Sequence, residues 1–162
     1  MWAELGLQSS NDKTAEIINR GYTKDIYEKA VILLNKYGIP IVTHMIIGLP
    51  GEDMDTALET AKYISSQNVF GVKIHSIYVM RGTKLADMYN EGIYTPPTLD
   101  SFARTAAACI GNLRRDIVIH RLTGDCPRDL LIAPVWNANK NEIINAVVRE
   151  MEKLGISQGS LL

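Results

Sequence analysis

The sequence predicts an α/β fold: a partial (β/α) barrel of about three to four parallel strands with helices outside. Strand-like segments, alternating in residues 2–8 and apolar on both faces in 41–47, alternate with segments of helical period from residue 2 to residue 154. Strands and helices in alternation imply parallel strands joined by right-handed crossovers, in an open sheet or in part of a barrel. At 162 residues the chain is shorter than the ~250 that eight strand-helix units need for closure. It therefore reads as a small open domain or a piece of something larger. The opening directly in a strand, with no helix before it, favours a C-terminal fragment over 1–154 and a polar tail over 155–162.

Each element has its own justification. In Trp2–Gln8, Ala3, Leu5 and Leu7 fall on one side and Glu4, Gly6 and Gln8 on the other, which makes a strand with one wet face. Ser10, Asn11 and Asp12 offer caps for a short helix to about Arg20, with Gly21 suited to its end. Thr23 caps a second helix, whose Ile26, Ala30, Leu33, Leu34 and Tyr37 keep helical spacing until Gly38. Ile41–Ile47 is apolar apart from Thr43 and His44, as suits a parallel strand covered by helices. A helix follows from Asp53 to about Gln67, then a strand from Val72 to Val79. Helices over Lys84–Asn90 and Thr98–Arg114, a short strand Ile117–His120 and a last helix from Asn139 to about Leu154 complete the order, with Asn139 and Glu142 spaced as a capping box.

Composition bounds the function. The 46% of apolar residues fills one core, and seventeen Lys+Arg against eighteen Asp+Glu leave a net charge of −1. That is no basic field for non-specific nucleic-acid or anionic-membrane binding. The apolar runs fall far short of a ~20-residue membrane span. Two cysteines, Cys109 and Cys126, fit a reducing compartment, so a cytoplasmic location is expected.

In parallel α/β folds ligands sit at the C-terminal strand ends, which points to Gln8, Gly48–Glu52 and Val79–Thr83. Gly48-Leu-Pro-Gly-Glu52 leads into a helix whose first turn holds Asp53 and Asp55; glycines there let a ligand approach backbone amides. The acidic turn, without the Lys-Ser/Thr pair of a P-loop, is a poor phosphate cradle. The structural alternative is a tight turn with no ligand.

Glu4-Leu-Gly-Leu-Gln-Ser9, Ile17-Ile-Asn-Arg-Gly-Tyr22 and Thr43-His-Met-Ile-Ile-Gly-Leu-Pro-Gly-Glu52, in this order, resemble the second half of the radical S-adenosylmethionine (SAM) core. The similarity is to oxygen-independent coproporphyrinogen III oxidase and the elongator catalytic subunit. With Lys73-Ile-His75, Arg81-Gly-Thr83 and His120-Arg-Leu-Thr-Gly-Asp125 added, the chain is more similar to an uncharacterised bacterial family neighbouring them. The resemblance implies a partial (β/α) barrel in which a 4Fe-4S cluster reductively cleaves SAM to a 5′-deoxyadenosyl radical, and an oxidoreductive parent whose hard chemistry the cofactor carries. The family's Cys-x3-Cys-x2-Cys cluster loop does not occur in this sequence, so the chain alone is expected to be inactive.

Carried over by residue, the resemblance places Gln8 and Arg20 at the methionyl and ribose groups of SAM, Ile46 and Gly48 against adenine with Glu52 as the retained acidic residue, and Val79 and Met80 at the adenine edge. Lys73, His44, His75, His120, Arg121 and Asp125 are the expected substrate-side residues. His44 stands where the porphyrinogen oxidases tend to have an acidic residue, so the substrate analogy does not carry over. Three strand histidines also raise a rival, a mononuclear metal hydrolase, although their spacing carries no metal signature. Arg121 and Asp125 alternatively pair across Gly124. A further rival is a non-catalytic α/β module that assembles with another chain. If Trp2–Gln8 were a middle strand of a parent sheet, its open edge would lead to a homo-oligomer that buries residues 1–9 or the polar interior around His44 and His75, unless the last helix folds back over that edge.

Overall fold

The computed structural model describes all residues, Met1–Leu162. Its elements are β1 (Ala3–Gln8), α1 (Asp12–Ile17), α2 (Lys24–Lys36), β2 (Ile41–Ile47), α3 (Met54–Ser66), β3 (Gly71–Ser76), β4 (Val79–Met80), α4 (Lys84–Asn90), α5 (Leu99–Gly111), β5 (Val118–Arg121), β6 (Leu131–Ala133), a 3-10 turn (Val135–Ala138) and α6 (Lys140–Leu154). No helix is long and apolar enough to cross a membrane.

Strands β1, β2, β3 and β5 form one parallel sheet in that order, with register Leu5↔Thr43 and His44↔Lys73. The helices cover one face. Leu7, Met45, Ile47, Val72 and Ile74 project from the strands into a core completed by Tyr27 and Val31 of α2, Ala61 and Ile64 of α3, Phe102 and Ala106 of α5 and Ile143 of α6. Period-two alternation then commits Glu4, Gly6, Gln8, His44, Ile46, Lys73 and His75 to the opposite, barrel-interior face. The sheet curves toward that face, because Trp2 before the first strand reaches His120 of the last, with ring centroids 5.4 Å apart.

The helix ends follow local chemistry. Asn11, Asp53, Thr98 and Asn139 each accept a backbone N–H from the first turn of the helix they precede. Thr23 stands at the N-cap of α2 but its side chain makes no capping bond. After α1 both Asn19, at φ 53°, and Gly21, at φ 82°, are left-handed. Residues beyond α6 dock on the end of α5: Gln158 Nε2 donates to the Arg114 and Ile117 carbonyls at 2.7 Å.

One expectation fails. The strand predicted over Val72–Val79 stops at Ser76, and Val79–Met80 pairs antiparallel with β6, an element that the apolar pattern did not reveal. Its partner β2 ends at the same register, Ile47 opposite Ser76. Ile77 N still donates to the last β2 carbonyl, Ile47, at 3.1 Å, and just past that point Asn137, 5% exposed, donates from Nδ2 to the Ile77 carbonyl at 2.6 Å and accepts from Ser76 Oγ at 2.6 Å. The last helix, the alternative cover for the N-terminal edge, packs on α5 instead.

Candidate functional site

The C-terminal ends of β1, β2 and β3 open into a cleft of about 820 Å³. Ile46, Leu49, Ile77, Leu85 and Met88 give it apolar walls, and Gln8, Asn19 and Arg20 add polar groups. Gln8 is left-handed at φ 57°, a conformation that costs a residue with a side chain about 1 kcal/mol or more. Its amide lies back over Gly6, where an added Cβ would come within 2.4 Å of it. With the amide nitrogen turned to the Gly6 and Leu7 carbonyls, at 2.9 and 3.2 Å, the oxygen is left as a hydrogen-bond acceptor.

Arg20 lines this cleft but its guanidinium is already engaged. Nη1 donates to the Leu7 and Ser9 carbonyls at 2.6 and 2.8 Å, Nε to the Tyr22 carbonyl at 2.9 Å and Nη2 to Asp12 at 3.2 Å, and the side chain is only 3% exposed. It is a clamp on the end of β1, and neither a surface charge nor a free fork.

The remaining expected cofactor residues lie elsewhere. Gly48 and Glu52 line a separate cleft of about 360 Å³ at the N-termini of α3 and α5, beside Pro97 and Arg104. Gly48 takes φ 94°, and a Cβ there would sit 2.8 Å from Pro97 Cδ, so packing as well as backbone conformation demands glycine. Its carbonyl accepts from Tyr94 Oη at 2.5 Å. Glu52 accepts a short hydrogen bond from Ser9 Oγ, tying the β1 loop to the β2 loop, and burial raises its carboxyl above the usual range. Val79 is fully buried and Met80 half-buried, both paired to β6; the strand end that reaches the large cleft is Ile77. Ile77 was missed because the strand was predicted to run two residues past it.

A second cleft, of about 450 Å³, adjoins the first and shares Gln8, Ile46 and Ile77 with it. His44, His75, Tyr78, Arg121 and Asp125 line the rest. The two histidines stack, with centroids 5.2 Å apart and planes inclined by 27°. Beneath them Glu4 accepts from Lys73 Nζ at 2.7 and 2.6 Å, from His44 Nε2 at 2.8 Å and from Trp2 Nε1 at 3.2 Å. The Lys73 ammonium, then the Trp2 indole and His44, hold the Glu4 carboxyl down at about 2. Burial, with His44, Arg121 and Lys73 nearby, pushes His75 down to about 4, so its imidazole is neutral at neutral pH. Glu4 was not singled out from sequence, although it shares the wet face of β1 with Gln8.

Asp125 bridges two cations, Arg121 at 3.1 Å and Lys140 through a short contact, so the pairing across Gly124 is present. Gly124 rests on the Tyr78 ring, where a Cβ would meet Cε2 at 2.6 Å. His120 stands apart from the other histidines, over Gly71 and against Trp2 and Phe70. No three His, Cys, Asp or Glu side chains are grouped as a metal would need. The thiols suit no cluster either: Cys109 is sealed in α5 with its thiol pushed up to about 12 by burial, while Cys126 lies in the loop after β5.

This architecture, a curved parallel half-barrel with its clefts at the C-terminal strand ends, agrees with comparison to known proteins. Residues 2–64 match the family described as Radical SAM superfamily and residues 69–153, just over half the chain, match the Radical_SAM C-terminal domain. The chain belongs to the radical SAM superfamily. It is 36% identical to the uncharacterized protein YtqA of Bacillus subtilis over 98% of this chain and 49% of that protein. Its identity to the tRNA uridine(34) acetyltransferase of Methanocaldococcus jannaschii is 29%, over 94% of this chain and 28% of that one. The solved structure of Methanocaldococcus infernus Elp3 with an N-terminal deletion superimposes with a TM-score of 0.87 at 24% identity, covering 98% of this chain and 37% of that one, and shares its fold. The chain spans about half the length of its YtqA relative.

Proposed function

We propose that this chain is the SAM-binding half of a radical SAM protein, in which the large cleft receives the adenosyl part of SAM and the adjoining polar cleft the substrate. The observation that carries this reading is the junction: Gln8, Ile46 and Ile77 line both clefts, so a ligand in one abuts a ligand in the other. The residues present suit SAM. Ile46, Leu49, Ile77 and Met88 offer apolar surface to a planar base, and the free Gln8 oxygen can accept from a ribose hydroxyl. Arg20 contributes by fixing the end of β1 on which Gln8 sits.

Gln8, Ile46, Leu49, Ile77 and Met88 would hold the adenosyl part of SAM, which in a complete protein would supply radical chemistry. The residues of this chain do not fit the cluster, so its contribution is to bind and orient, and the isolated chain is inactive. On the substrate side, Glu4 and Lys73 neutralise one another, while Arg121 and Lys140 share the single carboxylate of Asp125.

Titration with 5′-deoxyadenosine, followed by amide NMR, tests the reading. Contacts to the adenosyl part alone give millimolar binding, about −4 kcal/mol, with shifts centred on Gln8, Ile46 and Ile77. Ile77→Asp should abolish them. Shifts confined to the Gly48–Glu52 cleft, or none at all, would overturn it.

A further inference from the structure

We propose that His44 is a proton-accepting group of the interior cleft and that Glu4 is the residue that positions it, with Lys73 holding Glu4 in place. The proposal rests on the reading of that cleft as the substrate side only for what is bound there; the arrangement of the three side chains is independent of it.

A carboxylate can only accept, so the 2.8 Å contact between Glu4 Oε2 and His44 Nε2 puts the imidazole hydrogen on Nε2. Nδ1 is then the nitrogen with the lone pair. It makes no hydrogen bond, and unlike His75 Nε2 and His120 Nε2 it is not sealed from solvent. The ring lines the cleft beside Gln8 and Ile46, at the junction with the larger cleft. Glu4 cannot turn away, since the Lys73 ammonium contacts both of its oxygens at 2.7 and 2.6 Å and the Trp2 indole adds a third donor. This is the general logic of a carboxylate that fixes the tautomer of a base.

The titratable and charged groups around His44 are Glu4 from β1, Lys73 and His75 from β3 and, lining the same cleft, Tyr78, Arg121 and Asp125. His75, stacked on His44, stays neutral because burial opposes its charge, so an imidazolium at His44 meets no second one. In the step assigned here, an N–H or O–H bond of the bound molecule breaks and Nδ1–H forms. The electron pair stays on the donor atom, and the positive charge comes to rest on an imidazolium whose Nε2–H remains on Glu4. Solvent at the cleft mouth takes the proton afterwards.

Two measurements on the purified chain test this without any cofactor. Long-range ¹H–¹⁵N correlation of histidine-labelled protein above neutral pH should show His44 with Nε2 protonated and Nδ1 bare, and the hydrogen-bonded Nε2–H should disappear in Glu4→Leu. An Nδ1–H tautomer overturns the assignment. Carbethoxylation by diethyl pyrocarbonate, mapped by mass spectrometry, should modify His44 about tenfold faster than His75; equal or slower reaction means that Nδ1 does not face the cleft. Glu4→Gln retains an acceptor for Nε2–H, so it should keep the tautomer even if Glu4→Leu fails to fold. Neither measurement involves a nucleoside, so their failure leaves the reading of the large cleft standing, and loss of 5′-deoxyadenosine binding leaves this assignment standing.

Discussion

At the scale of single residues, the polar interior face ties stability to pH through Glu4 and His75. Glu4 titrates at about 2 in the folded chain against an ordinary value of 4.5, so its contribution is complete above about 4.5 and is lost as pH falls toward 2. His75 has its folded value depressed from 6.5 to about 4, so the unfolded chain binds the proton first and stability declines as pH drops from 6.5 to 4. The expected melting temperature therefore falls in two windows. Thermal melts from pH 8 to pH 2 should show His75→Gln flattening the upper one and Glu4→Gln the lower one. Unchanged profiles in both variants would mean that the interior network is solvated and carries no linkage.

At the scale of elements, the end of β1 is held from outside the sheet. Arg20 bonds the Leu7 and Ser9 carbonyls and Tyr22 Oη donates to the Gly6 carbonyl, so the α1–α2 connection fixes the strand end that carries Gln8. Arg20→Met keeps the length of the side chain but strips buried carbonyls of a charged donor. The expected cost is about 2–4 kcal/mol in urea unfolding, with faster amide exchange around Leu7 and Ser9 and weaker 5′-deoxyadenosine binding. A cost below about 0.5 kcal/mol would mean that water replaces the clamp. The Asn137 ties act in the same way at the other strand end, where they divide β3 from β4. Period and propensity along residues 72–79 describe one strand, but its partner β2 ends opposite Ser76, and a side chain sixty residues away takes up the backbone beyond it.

At the scale of the whole molecule, β1 stands at the edge of the sheet with β2 as its only partner. Tyr22 and Arg20 occupy carbonyls of its C-terminal half, which leaves Ala3–Leu5 as the open stretch. Near it Trp2 is exposed, and α2, packed on β1 and β2, exposes Ile26, Ile32, Leu33 and Tyr37. Edge backbone beside exposed apolar side chains is a template for pairing. We therefore propose that two copies of this chain associate through residues 1–9 and the outer face of α2. Light scattering across a dilution series should give a dimer mass that falls on dilution, and Leu33→Lys should shift it toward monomer. A monomeric mass at every concentration, with slow amide exchange at Leu5 and Leu7, would overturn this and identify the chain as a self-sufficient domain.

The α/β class, the parallel strands and most element positions were legible in the sequence, since those depend on apolar pattern and on caps read within a few residues. The helix expected over Lys84–Asn90 has those bounds, and Asn11 and Asn139 cap where their side chains suggest. The motifs around Gln8 and Gly48 also carried the family. Tertiary structure alone decided which residues meet. It turned Arg20 onto backbone, closed Gly48 against Pro97 and separated His120 from His44 and His75. It also brought Glu4, Lys73 and His44 into one network across β1, β2 and β3. Spacing along one strand shows which face a side chain takes. Register between strands, set by packing far away in sequence, shows what it finds there.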